Sequence, residues 1–166
     1  MRFDQSNGSG AGKLIDQTDR DSLAQIFKEY GEERLASRIA KSIKEMTAMN
    51  TIADLREAIR RCTPPNHRDR TFARIFQALR IAVNGELDIL QQFLTKFIDF
   101  LHPGGRIVII SYHSLEDRLV KHSFKELASG GTLDILTKRP ITATEKERKN
   151  NRRSRSAKLR AAVKVA

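Results

Sequence analysis

The 166-residue sequence is poor in cysteine, poor in acidic residues toward its C-terminus and free of long apolar runs. Its one cysteine, Cys62, excludes an internal disulfide and a cysteine-rich zinc site. That thiol is expected half-buried near a helix end. No apolar stretch approaches the roughly 20 residues of a membrane span, and no basic-then-apolar signal segment opens the chain. A cytoplasmic protein without membrane contact is expected. His67, His102, His113 and His122 form no i, i+4 pair with a carboxylate partner, so no metal site is expected either. The stretch "GSGAGK" resembles a phosphate loop only loosely. Asn7 stands where the first glycine belongs, Leu14 replaces the Ser or Thr, and no strand precedes it.

What is present is a workable core and an uneven charge. A hydrophobic content of 39% in one chain of this length suits a soluble protein with a real interior. Of the formal net charge of +11, the segment 138–166 holds eleven Lys or Arg against two Glu, and so carries +9. Charge gathered in one segment points to a polyanion, most often nucleic acid. The plain alternative is a solvated basic tail that aids solubility. Within "NNRRSRSAKLR" no aromatic residue is interleaved, so base stacking is not offered. Arg152, Arg153, Arg155, Lys158 and Arg160 read as a clamp on phosphates, with the serine hydroxyls as further donors. Arg70, Arg74 and Arg80 add charge near the long central helix.

The apolar spacing divides the chain. Residues 1–13 are Gly- and Ser-rich and read as a mobile start. Leu23, Ile26, Phe27, Tyr30, Leu35, Ile39 and Ile43 recur at helical spacing, with Gly31 as a break or tight packing point. Thr51-x-x-Asp54 resembles a capping box, and Pro64-Pro65 ends the helix that it opens. Residues 14–66 therefore form an all-helical unit. From Phe72 to Leu101 the helical period continues, with a bend expected at Asn84-Gly85, until Pro103-Gly104-Gly105 turns the chain. "RIVIIS", Arg106–Ser111, is a continuous β-branched run, as in an interior strand of a parallel sheet. A helix from Ser114 to Ala128, a short strand in 132–140, a polar loop and a last strand at the sheet edge, 156–165, complete an α/β order over residues 67–166.

In an open α/β sheet, ligands bind outside the carboxyl ends of the strands. "RIVIIS" runs straight into Tyr112, His113 and Ser114, which are therefore the candidate substrate rim, with His113 a possible base or donor. Glu116 and Asp117 lie in the first turn of the next helix, where acidic residues also serve simply to complement the dipole. Arg118 suits a salt bridge or a substrate-orienting contact. Ser111, His113 and Asp117 are the types of a nucleophilic triad, yet they crowd one corner with no Gly-x-Ser-x-Gly elbow.

"FQALRIAVNGEL", "PGGRIVIISYHSLEDRLVK" and "RSRSAKLRAA" together resemble, in that order, the ribosomal RNA small subunit methyltransferase H family. "MRFDQSNG" and "IFKEYGEERLASRIAKSI" are similar to its middle portion. The resemblance implies an α/β fold: a partial Rossmann-like class I methyltransferase sheet with an all-helical insertion. It implies S-adenosyl-L-methionine as cofactor, 16S rRNA of the small ribosomal subunit as partner, and methylation of the N4 amine of a cytosine. The family's Gly-Gly-Gly-His-Ser loop, acidic ribose position and Asp-Leu-Gly…Ser-Ser-Pro-Gln segment have no counterpart in this sequence. The resemblance thus implies a C-terminal portion with no cofactor-binding residues of its own and little donor affinity. It implies, too, an Arg106–Ser111 strand with one edge exposed. The alternatives are a non-catalytic RNA-binding remnant and, behind it, an inactive one.

Overall fold

The computed structural model describes residues 1–3, 10–47 and 49–165. Asn7, Gly8 and Ser9 of the phosphate-loop reading, and residues 4–9 of the expected mobile start 1–13, lie outside them. The chain divides into two compact units, Met1–Glu86 and Leu87–Ala166.

The first unit is all helical: α1 (Ala11–Gln17), α2 (Arg20–Gly31), α3 (Ala36–Lys44), α4 (Ile52–Cys62) and α5 (Arg68–Asn84). Helix α1 begins inside the stretch read as a mobile start, because Leu14 and Ile15 pack on the core of this unit. Asp19 caps α2 by accepting from the Asp21 and Ser22 N–H groups at 2.9 Å. The Thr51 capping box forms as its sequence predicts. Thr51 Oγ1 accepts from Asp54 N–H at 3.2 Å and Asp54 Oδ2 accepts from Thr51 N–H at 2.8 Å. Leu23, Phe27, Ile39, Ile43, Ile59, Ile75 and Leu79 are fully buried at the centre. Each contributes roughly 1.5–3 kcal/mol by leaving water. Glu33, buried beside them, accepts from Leu35 N–H at 3.0 Å and lies 3.5 Å from Arg74. Cys62, the last residue of α4, is half-buried; its thiol donates to the Ala58 and Ile59 carbonyls, and burial raises its pKa. The expected boundary at residue 66 moves to Glu86, because α5 packs its Phe72, Ile75, Ala78 and Leu79 into this core.

Gly85 ends α5 with φ +58°, so the long helical run is two helices, and α6 spans Glu86–Lys96. The second unit then holds β1 (Arg106–Ser111), α7 (Ser114–Ser129), β2 (Leu133–Ile135), β3 (Ile141–Thr142), α8 (Glu145–Asn150) and β4 (Lys158–Lys164). The turn before β1 needs its glycines. Gly104 has φ +78°, and a Cβ on Gly105 would lie 2.7 Å from the His102 carbonyl oxygen.

The fold is α/β, but the sheet corrects two expectations. Strand β4 is not an edge: it lies between β1 and β2, antiparallel to both, with β3 also paired to it. Nor is β1 flanked by parallel neighbours among the described residues. Its one partner is β4, and its other edge is unpaired. Because β1 and β2 both oppose β4, they run parallel to each other, and α7 is the crossover between them. Ile107 and Ala162 are buried with Leu94, Phe97, Val120, Phe124 and Leu133, while Val108 and Ile110 on the other face are 57% and 51% exposed. The unbroken apolar run of β1 concealed this alternation. The stretch expected to be a polar loop contains β3, α8 and a 3-10 turn, Arg152–Ser156.

Gly31 gives a stability test. A Cβ there would lie 2.9 Å from the Arg74 carbonyl oxygen, whereas one on Gly12 meets nothing within 4 Å. Alanine gains up to about 1 kcal/mol over glycine in a helix, and overpacking costs about 1–3 kcal/mol. Urea unfolding should show Gly31→Ala destabilised by about 1 kcal/mol net and Gly12→Ala neutral or stabilised.

Candidate nucleic-acid interface

The polar corner is first of all a helix start. His113 is the N-cap of α7, and its Nδ1 accepts from Glu116 N–H at 3.4 Å. In return Glu116 Oε2 accepts from the Tyr112 and His113 N–H groups at 2.8 and 3.3 Å. With Nδ1 an acceptor, neutral His113 carries its proton on Nε2. That nitrogen is buried 3.2 Å from Glu116 Oε1, outside hydrogen-bonding geometry. Burial pushes the Glu116 carboxyl up, but the hydrogen bonds from His113 and Tyr112 outweigh it and hold the pKa below its ordinary value. Tyr112 is 54% exposed and Ser114 half-buried, so both present surface at the corner.

Asp117 is not free for chemistry. It accepts from Arg160 Nε at 2.7 Å, from Arg160 Nη2 at 3.3 Å and from Lys158 Nζ at 3.2 Å. Asp117 and Arg160 are 8% and 7% exposed. Burial pushes the Asp117 carboxyl up, and the hydrogen bonds from Arg160 and Lys158 more than reverse this, leaving it below the usual carboxylate value. Arg160 therefore drops out of the expected phosphate clamp, since its guanidinium is buried on Asp117. Lys158 is partly committed to the same carboxylate.

The other three residues of the expected clamp lie at the surface. The 3-10 turn Arg152–Ser156 exposes Arg152, Arg153 and Arg155. Asn151 caps it, its Oδ1 accepting from Arg153 N–H at 3.1 Å. Ser154 points inward instead of toward a phosphate: it is 5% exposed, and its hydroxyl donates to the Asn151 carbonyl at 2.8 Å.

The sheet register brings the two candidate sites together. Lys158 stands opposite Ser111, so β4 begins where β1 ends. The arginine turn enters β4 at the same rim from which β1 runs into Tyr112, His113 and Ser114. Sequence reasoning had kept these groups some forty residues apart. The signal it missed is the opposite charge of Asp117 and Arg160, which pins that register.

The ion cluster has measurable consequences. Removing one partner of a buried pair costs about 3–5 kcal/mol, because the other charge is left unpaired. Asp117→Asn should lower thermal stability by about 3 kcal/mol. Because the folded Asp117 pKa is depressed, its stabilisation is complete above the unfolded value of about 3.9 and is lost as pH falls toward the folded value. The stability gap between wild type and Asp117→Asn should therefore narrow below about pH 4, as followed by denaturant unfolding.

Residues 1–165 match the family model described as the MraW methylase family. The chain is 52% identical to the ribosomal RNA small subunit methyltransferase H of Trichormus variabilis, over 100% of this chain and 54% of that protein. It is 51% identical to the protein of the same name in Nostoc sp., over 100% of this chain and 55% of the relative. For Synechocystis sp. the identity is 48%, over 99% and 54%. The chain thus spans about half the length of the curated relatives it matches. On this evidence the chain belongs to the MraW methylase family.

Proposed function

We propose that this chain forms the RNA-holding part of an S-adenosyl-L-methionine-dependent methyltransferase that modifies the N4 amine of a cytosine in 16S rRNA of the small ribosomal subunit, in the cytoplasm. The observation that carries the reading is the shared rim, where Arg152, Arg153 and Arg155 stand at the strand end that leads to Tyr112, His113 and Ser114. The names of the relatives agree with it.

The donor supplies an electrophilic methyl group when bound. The described residues do not fit it. The strand β1 is followed by Tyr112 and His113 and then the first residue of α7, Ser114, rather than a glycine-rich turn, and the cavity beside α7 is rimmed by Lys121, Lys125 and Lys138. A sulfonium cation would meet like charge there. The part of this chain is positional. The cytosine amine is a weak nucleophile, because its lone pair is delocalised into the ring, so holding it in line is a large share of the catalysis. The three arginines hold phosphates, assisted by Lys158. Tyr112, His113 and Ser114 form the wall beside the base.

Filter binding with a single-stranded 16S rRNA fragment tests this reading. Arg152→Glu/Arg153→Glu should weaken binding at least roughly tenfold and reduce the salt slope by about two. Unchanged affinity would remove the clamp. Calorimetric titration of the chain with S-adenosyl-L-methionine should give no saturable binding at micromolar concentration. A micromolar site would overturn the placing of the donor outside these residues.

A further inference from the structure

Helix α7 carries Lys121, Phe124, Lys125 and Ala128 on one stripe, spaced i, i+3, i+4 and i+7. That stripe faces β2, the strand whose outer edge is unpaired among the described residues. Between them lies a cavity of about 400 Å³. Its floor is apolar, made of Phe124, Leu133 and Ile135. Lys121 and Lys125 rim it from the helix and Lys138 from the segment after β2. All three lysines are exposed, and none is in an ion pair among the described residues. Asp134 is the one carboxylate in the lining. The inner wall is Arg160, which Asp117 holds from the other side. The cavity therefore begins where the ion cluster of the interface ends.

We propose that this cavity is a second RNA subsite, which takes one nucleotide of a single strand, with the base on the apolar floor and the flanking phosphates on Lys121, Lys125 and Lys138. This rests on the RNA reading given above. The volume lies within the usual range of small-ligand pockets, about 300–1,000 Å³. Charge complementarity selects an anion, and the apolar floor selects one with a flat, weakly hydrated part. A nucleotide has both. Lysines at i and i+4 stand about 6 Å apart at Cβ, which suits a point-charge contact to a mobile backbone. Lys138 also opens the basic segment that carries Arg152, Arg153 and Arg155, so one polyanion can engage both sites. The run "NNRRSRSAKLR" holds no aromatic residue, and the floor answers that lack with apolar side chains from α7 and β2, Phe124 among them.

The test is fluorescence anisotropy with a short single-stranded RNA, an otherwise identical strand with one abasic position scanned along it, and an oligoglutamate competitor. Lys121→Glu/Lys125→Glu should weaken RNA binding roughly tenfold and lower the salt slope by about two. Ala128→Phe fills the cavity without changing charge. It should weaken binding at least roughly fivefold with the slope unchanged, as should one abasic position in the wild-type complex. Both lysines are exposed, and circular dichroism checks the fold of Ala128→Phe. If the filled variant and every abasic strand bind like their parents, the subsite is overturned and the lysines are only a diffuse field. Equal competition by oligoglutamate would assign the cavity to acidic peptide instead and overturn it too. Loss of RNA binding in Arg152→Glu/Arg153→Glu with the α7 variants intact would sink this subsite alone. An absence of RNA binding in the wild-type chain would sink the RNA reading and the subsite with it.

Discussion

Asp117 sits in the first turn of α7 at 8% exposure, where an isolated carboxylate would cost several kcal/mol in lost hydration. It is tolerated because Arg160 and Lys158 reach it from β4. The pairing fixes more than charge. Residues 158 and 160 lie on one face of β4, so a register slip of one residue would turn both cations away from α7. The cluster thus sets which residue of β4 stands opposite Ser111. That register in turn decides where the arginine turn emerges. Hydrophobic packing of Ala162 against Val120 and Phe124 pulls the same way. Polar and apolar contacts agree on one register, as a sequence that specifies a single structure requires.

Much of the fold was legible in local patterns. The helices from Arg20 to Asn84, the Thr51 capping box and the glycine stop before β1 all follow from spacing and capping chemistry that act over a few residues. The place of β4 was not legible, because strand order depends on pairing between residues some fifty apart in sequence. "KLRAAVK" carries cations at both ends and small residues in the middle, which reads as an edge. The two alanines are what allow it to be central. Ala161 and Ala162 are buried, and the small side chain of Ala162 lets Val120 and Phe124 of α7 pack down on the strand.

The corner after β1 was half legible. Its position at a strand end followed from the run "RIVIIS" and the helix start that succeeds it. The roles within it did not follow. His113 was a candidate base, yet its Nδ1 lone pair is used by the backbone of α7. Glu116 and Asp117 are the right types for acid–base work, yet one closes the capping box and the other holds β4. Tyr112, 54% exposed, presents the most surface to a ligand. A cluster of reactive side-chain types at a strand end is thus compatible with mainly structural tasks, and only the hydrogen-bond partners tell the two apart.

The same distinction governs the charge. A formal +11 counts every cation equally, but cations differ in what they can still bind. Arg160 is neutralised by Asp117, Lys158 shares that carboxylate, and Lys164 donates to the Ile98 carbonyl at 3.1 Å. These are fixed parts of the sheet, and their exchange for neutral residues would be felt as instability. The arginines of the 3-10 turn and the lysines along α7 are exposed, so their charge is available to a polyanion at little cost to the fold. The positive field at the surface is therefore set by these residues, at the rim and at the cavity beside it, rather than by the net charge of the chain. Net charge counts the committed cations with the rest, so the footprint open to any polyanion has to be drawn from the cations that the fold leaves exposed.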